Sequence, residues 1–209
     1  MSVESKSTRR SNDRDRTRTR WHDDDRLHAN EREPPEGGTG GTPSSPSRTL
    51  VGKYSRRFES KAQWVLWRYE DRKGRWTKVP RQPDGSPASS IDAETWAPFD
   101  FVQTAYVTRG SYDGVGFVLT LGDPYVAFDF DHCVDRETSE ITDLKVRDYV
   151  AKINSYTEIS PSGTGLRLIV RAKLPERDRK AGSFECYEDR RFVSITGHLY
   201  RGNADGHYR

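Results

Sequence analysis

The chain has 209 residues, 32% of them hydrophobic, and a formal net charge of +3. That length suits one domain of ordinary size, or one domain and a tail. The low apolar share points to a part that does not fold. No apolar run nears the roughly 20 residues of a membrane helix, and the start of the chain lacks a signal peptide's apolar segment, so a cytoplasmic protein without membrane contact is expected.

The composition divides the chain near residue 49. Residues 1–48 hold 10 Lys/Arg and 9 Asp/Glu and close on PPEGGTGGTPSSPS. They offer too little apolar surface to offset the entropy of ordering, so a disordered tail is expected. The first 20 residues carry seven basic and three acidic groups, a net of +4. That excess supports either a loose electrostatic contact with nucleic acid or a merely solvated tail, since DDD follows at once.

From residue 49 onward the pattern is that of a folded domain. QWVLWRYEDRKGRWTKVP reads as two strands joined by a turn at DRKG, with Trp64, Leu66, Trp67 and Tyr69 supplying both faces. Asp92 is placed to cap a helix through AETWAPFDFVQTAYV. GVGFVLT and YVAFDFDH read as strands around the turn LGDP. Val146, Tyr149, Val150 and Ile153 fall at i, i+3, i+4 and i+7, the stripe of an amphipathic helix. GLRLIVRA, SFECYE and RFVSITGHLY give three further strands. The order predicts an α+β domain with an antiparallel or mixed sheet and flanking helices. Cys133 and Cys186 are too few for a disulfide framework and read as buried free thiols.

Three clusters carry possible chemistry. Along VAFDFDHC, strand alternation puts Asp129 and Asp131 on one face and Phe128 and Phe130 on the other. The aspartate Cα atoms lie about 7 Å apart at about 3.4 Å rise per residue, so the two carboxylates can lean towards a common point, where they repel each other and call for a neutralising cation. An EF-hand is excluded, because Cys133 and Val134 stand where oxygen ligands and glycine are needed. In SPSGTGLRL, Gly163 and Gly165 allow a sharp turn, while Ser160, Ser162 and Thr164 offer hydroxyls around a concavity suited to phosphate. The lysine and the spacing of a P-loop are absent. In FECYEDRRFVSITG, Glu185 and Tyr187 alternate with Phe184 and Cys186, and Arg190 and Arg191 follow in a tight connection. Taken singly, each cluster also reads as ordinary surface.

Together, D-x-D on one strand, S-P-S-G-T-G before the next and E-x-Y…R-F…T-G after it resemble the primase–polymerase domain of the archaeo-eukaryotic primase superfamily. The version in replication proteins of phages and archaeal plasmids is the most similar, over about residues 63–197. The resemblance implies an RRM-like core and a nucleotidyltransferase that builds phosphodiester bonds from NTPs or dNTPs on a DNA template and primer. It implies Asp129, Asp131 and Glu185 as catalytic acids holding two Mg²⁺ or Mn²⁺ ions, and Ser160, Ser162 and Gly163, with Gly165, as a triphosphate loop. Arg191 and Tyr187 would lie near the incoming nucleotide, and Lys78 is a weaker candidate for a phosphate contact. The family commonly has histidine where this chain has Arg167. Alternation sends Arg167 to the face opposite Leu166 and Leu168, so it is expected to replace that histidine as a phosphate ligand. Phe192 stands where relatives often carry a hydroxylated aromatic. The chain ends twelve residues after Gly197, so residues 49–209 are expected to form a domain truncated at its C-terminus, with a helicase acting in trans. Two other classes remain open: a catalytically silent module that binds nucleotide or single-stranded DNA and recruits a replication partner, and a metal-dependent nuclease.

Overall fold

The computed structural model describes residues 59–174, 180–181 and 184–200. The expected disordered tail, residues 1–48, lies outside them. The first hairpin forms as its alternation requires, with β1 (Trp64–Asp71) paired antiparallel to β2 (Trp76–Arg81). β1 also pairs with β3 (Gly114–Leu119), and β3 with β9 (Arg191–Ile195), which completes a four-stranded sheet in the order β2-β1-β3-β9. β4 (Tyr125–Phe130), β5 (Tyr156–Ile159), β6 (Leu166–Arg171), β7 (Lys180–Ala181) and β8 (Phe184–Tyr187) form a second sheet, ordered β5-β6-β4-β8-β7. Every strand pair is antiparallel. The fold is α+β, with two sheets where the strand pattern suggested one.

Asp92 caps less than its position suggested. Its side chain accepts from Glu94 N, but only a 3-10 turn, Ala93–Thr95, follows. Pro98 then disfavours helical geometry at the preceding residue. Ala97 is extended instead and exchanges both backbone hydrogen bonds with Trp64. The helix α1 (Phe99–Arg109) begins behind the proline and ends at Gly110, whose φ of 60° is left-handed. α2 (Leu144–Ile153) follows its periodicity in part: Val146 and Val150 are buried, while Tyr149 of the same stripe is 52% exposed, and Asp143 caps the helix through Lys145 N and Val146 N. Among the described residues, no helix is long and apolar enough to cross a membrane.

Two cores result. Phe117, Val193 and Ile195 of the first sheet share a buried cluster with Ala127, Tyr156 and Ile169 of the second, and Val102 and Tyr106 of α1 join it. The opposite face of the second sheet, with Phe130, Leu166 and Leu168, packs on Val146 and Val150 of α2. Both cysteines are buried and free. Burial pushes the Cys133 thiol up to about 11, which keeps it protonated at neutral pH and unsuited to nucleophilic work.

Candidate active site

One face of the second sheet changes character within two residues. Tyr156, Ile169, Ala127 and Tyr187 are cross-strand partners in turn and belong to, or pack against, the core between the sheets. The next row on that face, one alternation further along, is Glu158, Arg167, Asp129 and Glu185. The apolar row holds the sheets together, and the charged row beside it opens into a cleft of about 280 Å³.

Directly opposed residues in an antiparallel pair have Cβ atoms about 4.5–5.5 Å apart. The register therefore puts Asp129 between a cation and a second acid, although Glu185 lies far along the chain. Arg167 donates to Asp129 Oδ2 at 2.9 Å and to the Ser194 carbonyl at 2.6 Å, and it also reaches the Ser194 hydroxyl. Arg167 as a whole is only 4% exposed. Burial works against that charge, and the Asp129 and Glu158 carboxylates outweigh it, holding the arginine protonated. The neutralising cation that the aspartate pair called for is thus present on the neighbouring strand.

Glu158, behind Arg167, was not anticipated. It is fully buried, and its carboxylate accepts from Tyr156 Oη at 2.8 Å, Thr196 N at 3.1 Å and Gly197 N at 3.2 Å. Burial raises this carboxyl above its ordinary range, against the charge of Arg167 and those donors. A buried carboxylate with this many partners is built into the fold rather than left over.

The glycine loop forms the tight turn between β5 and β6. Gly163 N donates to Ser160 O at 2.9 Å, and Gly163 has a φ of 75°, with Pro161 and Ser162 at the corner. Ser160 N closes the loop onto Gly165 O at 2.9 Å. The hydroxyls form a chain, Ser160 Oγ to Ser162 Oγ at 3.0 Å and Ser162 Oγ to Thr164 Oγ1 at 3.1 Å. A Cβ on Gly165 would stand 2.6 Å from the Phe130 carbonyl oxygen, and one on Gly163 would stand 3.6 Å from the Arg136 side chain. Arg136 is a second unanticipated cation beside this loop. Gly165→Ala is expected to force the loop off the end of β4, at a cost of about 1–3 kcal/mol, and chemical denaturation checks this. An unchanged midpoint would mean that the loop yields freely.

Lys78, Asp129, Asp131, Ser160, Ser162, Arg167, Glu185, Tyr187 and Arg191 all line the cleft, while Gly163 and Gly165 shape its loop without lining it. The Tyr187 hydroxyl donates to Glu185 Oε2. The Arg191 guanidinium lies 5.5 Å over the Tyr187 ring, and Lys78 Nζ lies 5.2 Å over Trp67. Arg190, at a φ of 56°, makes the tight connection into β9. Arg167 lines the cleft as its alternation required, but its guanidinium is engaged by Asp129 and Ser194. A phosphate contact would compete with those bonds. Tyr69 and Trp76 complete the wall opposite the acids.

No family model matches the chain. The DNA primase-polymerase of Nitratiruptor phage NrS-1 is 41% identical to it over 151 residues, or 69% of this chain. The chain carries a domain of the primase–polymerase type. It spans 20% of the length of that phage relative. The family resemblance therefore stands on a relative matched over 69% of this chain as well as on motifs. In this primase–polymerase domain the three motifs sit on adjacent strands of one sheet, in the order β6, β4, β8.

Proposed function

We propose that the domain is a DNA-directed nucleotidyltransferase, joining nucleotides from NTPs or dNTPs to a primer on a template in phage or plasmid replication. The observation that carries this reading is the acidic pair across β4 and β8. Asp129 and Glu185 are register partners at the cleft, and Asp129 Oδ1 is buried without a hydrogen-bond partner. An anionic oxygen in that condition suits a cation. Among the described residues no group of three or more His, Cys, Asp or Glu is disposed to hold a metal ion unaided. Magnesium needs no such cage, since it takes one or two carboxylates and fills its octahedron with water and substrate phosphates. The residues present thus fit two Mg²⁺ or Mn²⁺ ions, each of which one or two of Asp129, Asp131 and Glu185 would hold. Divalent ions bound there supply charge neutralisation for the attacking and departing oxygens.

The chain's own groups account for the rest. In the transfer, the primer 3′ oxygen bonds to the α-phosphorus and the bond to pyrophosphate breaks. Ser160 and Ser162, on a loop with left-handed Gly163, would donate to the triphosphate, and Arg191, which also lines the cleft, would add a cation. Arg167 orients Asp129 by taking one of its oxygens and leaving the other for a cation. Tyr187 holds Glu185 through its hydroxyl, which donates to Oε2. Whether the products are DNA or RNA, and whether a helicase cooperates in trans, follow from the same proposal and are tested after it.

One observation favours a second reading, a silent module that binds nucleotide or single-stranded DNA. Arg167 already neutralises Asp129, as a site that had lost its metal would require. Incorporation of labelled nucleotide on a primed template, with and without Mg²⁺ or Mn²⁺, separates the readings. Metal-dependent extension supports transfer, binding without extension supports the silent module, and loss of template supports a nuclease.

A further inference from the structure

The β1–β2 hairpin concentrates positive charge that the cleft chemistry does not use. Residues 64–81 hold six Lys/Arg against two acids, a net of +4 in a chain whose total is +3. Arg68 and Arg81 are taken up by Glu70. Arg72, Lys73 and Arg75 stand at the tip, all exposed. The tip is a two-residue turn in which Lys73 and Gly74 both have positive φ, 61° and 78°. Arg72 N donates to Arg75 O at 2.8 Å, and Gly74 N to Asp71 Oδ1 at 2.7 Å. Turns of this kind match strand twist and are stiff, so the three cations are held on a short fixed arc.

Next to the tip stands Trp76, 38% exposed at the start of the outer strand β2. Trp76, Lys78 and Pro80 share one face of β2 and line the cleft, with Tyr69 beside them as the cross-strand partner of Lys78. A half-exposed indole at the mouth of a nucleotide-sized cleft, flanked by cations, has the two components of sequence-tolerant single-strand binding. Those are phosphate contacts along a basic track and an aromatic face for an unstacked base. A duplex keeps its bases stacked on each other and has no free face to offer the ring.

We propose that the β1–β2 hairpin grips the single-stranded template, with Arg72, Lys73 and Arg75 on its phosphates and Trp76 stacked on a base at the cleft mouth. The proposal rests on the transfer reading, in which a template must approach this cleft. Anisotropy of a labelled single-stranded oligonucleotide, titrated at several salt concentrations with the whole chain, tests it. The combined variant Arg72→Gln, Lys73→Asn, Arg75→Gln keeps the turn, because Asn tolerates left-handed backbone. It is expected to lose at least about tenfold affinity at low salt and to flatten the log–log salt slope by about 2. Trp76→Ala is expected to lose about tenfold affinity at every salt concentration with the slope unchanged. The tail is common to all variants and cancels in the comparison. An unchanged slope in the first variant, unchanged affinity in the second, no oligonucleotide binding by the parent, or an equal effect of Trp76→Ala on a duplex would overturn the grip. A parent that fails to incorporate nucleotide while the variants weaken as described would sink the transfer reading and leave the grip standing.

Discussion

Asp131→Asn is expected to cut nucleotide incorporation by about a hundredfold or more while leaving the fold intact. The magnitude follows from removing one charged group from a site where charge develops, a loss of several kcal/mol in the transition state. Asp131 lies just past the end of β4, half-buried at the cleft. Its replacement should therefore move Tm by no more than about 2 °C, the scale of a substitution worth under ~0.5 kcal/mol. Asp129→Asn should abolish transfer equally but behave differently in unfolding. Asp129 is the partner of a buried arginine, and a neutral amide in its place weakens a charge-assisted hydrogen bond, at a cost of about 1–3 kcal/mol. Relief of like-charge repulsion with Asp131, taken by itself, would leave the Asp129→Asn fold nearly unchanged. The ion pair to Arg167 reverses that expectation. Normal incorporation by the Asp131 variant would remove this residue from the chemistry.

The second large effect belongs to Arg167. Arg167→Met is expected to destabilise the domain by about 3–5 kcal/mol, because Asp129 and fully buried Glu158 would be left without their shared counter-ion. That corresponds to a fall in Tm of about 10 °C or more for a domain of this size. Urea denaturation read by tryptophan fluorescence measures it. Adding Glu158→Gln to the Met variant removes one of the stranded charges and should recover part of the loss, whereas independent sites would give additive losses. Arg167→Lys keeps the charge but not the planar fork that reaches Ser194 and Asp129 together, so it should recover only partly. A loss below about 1 kcal/mol in Arg167→Met would show that the pair is merely a surface-like contact.

Apolar and β-branched runs, rather than alternation of burial, made most strands legible: β1 opens on four buried residues and β3 is buried throughout. The α2 stripe at Val146, Val150 and Ile153 needs only helical periodicity. β5 escaped notice because it has four residues, of which Thr157 and Glu158 are polar, although all four are buried. It looked like the polar approach to the glycine loop. Alternation also says nothing of which strands share a sheet. β3 and β4 are consecutive but belong to different sheets, so the turn LGDP between them carries the chain from one sheet to the other. Pro98 carried a signal that the apolar pattern around it outweighed.

The site divides along the same line. Asp129 and Asp131 could be paired from local spacing, and the glycine loop could be recognised from its composition. The placement of Glu185 opposite Asp129 is a matter of register between strands over 50 residues apart, and no local pattern encodes it. Only the family resemblance supplied it beforehand. Arg167 was sent to the correct face, but its partners were not visible. Glu158 reaches the row from a strand that was not seen, and Trp76 looked like one more apolar position in a hairpin.

The central claim is that the acids across β4 and β8 bind a divalent cation that the triphosphate helps to hold. Titration of Mn²⁺ into the chain, followed by electron paramagnetic resonance with and without a dNTP, tests it most directly. The account predicts Mn²⁺ binding that tightens at least tenfold when the nucleotide is present and that is lost in Asp129→Asn and Glu185→Gln. Mn²⁺ affinity that is the same in both variants as in the parent would contradict it.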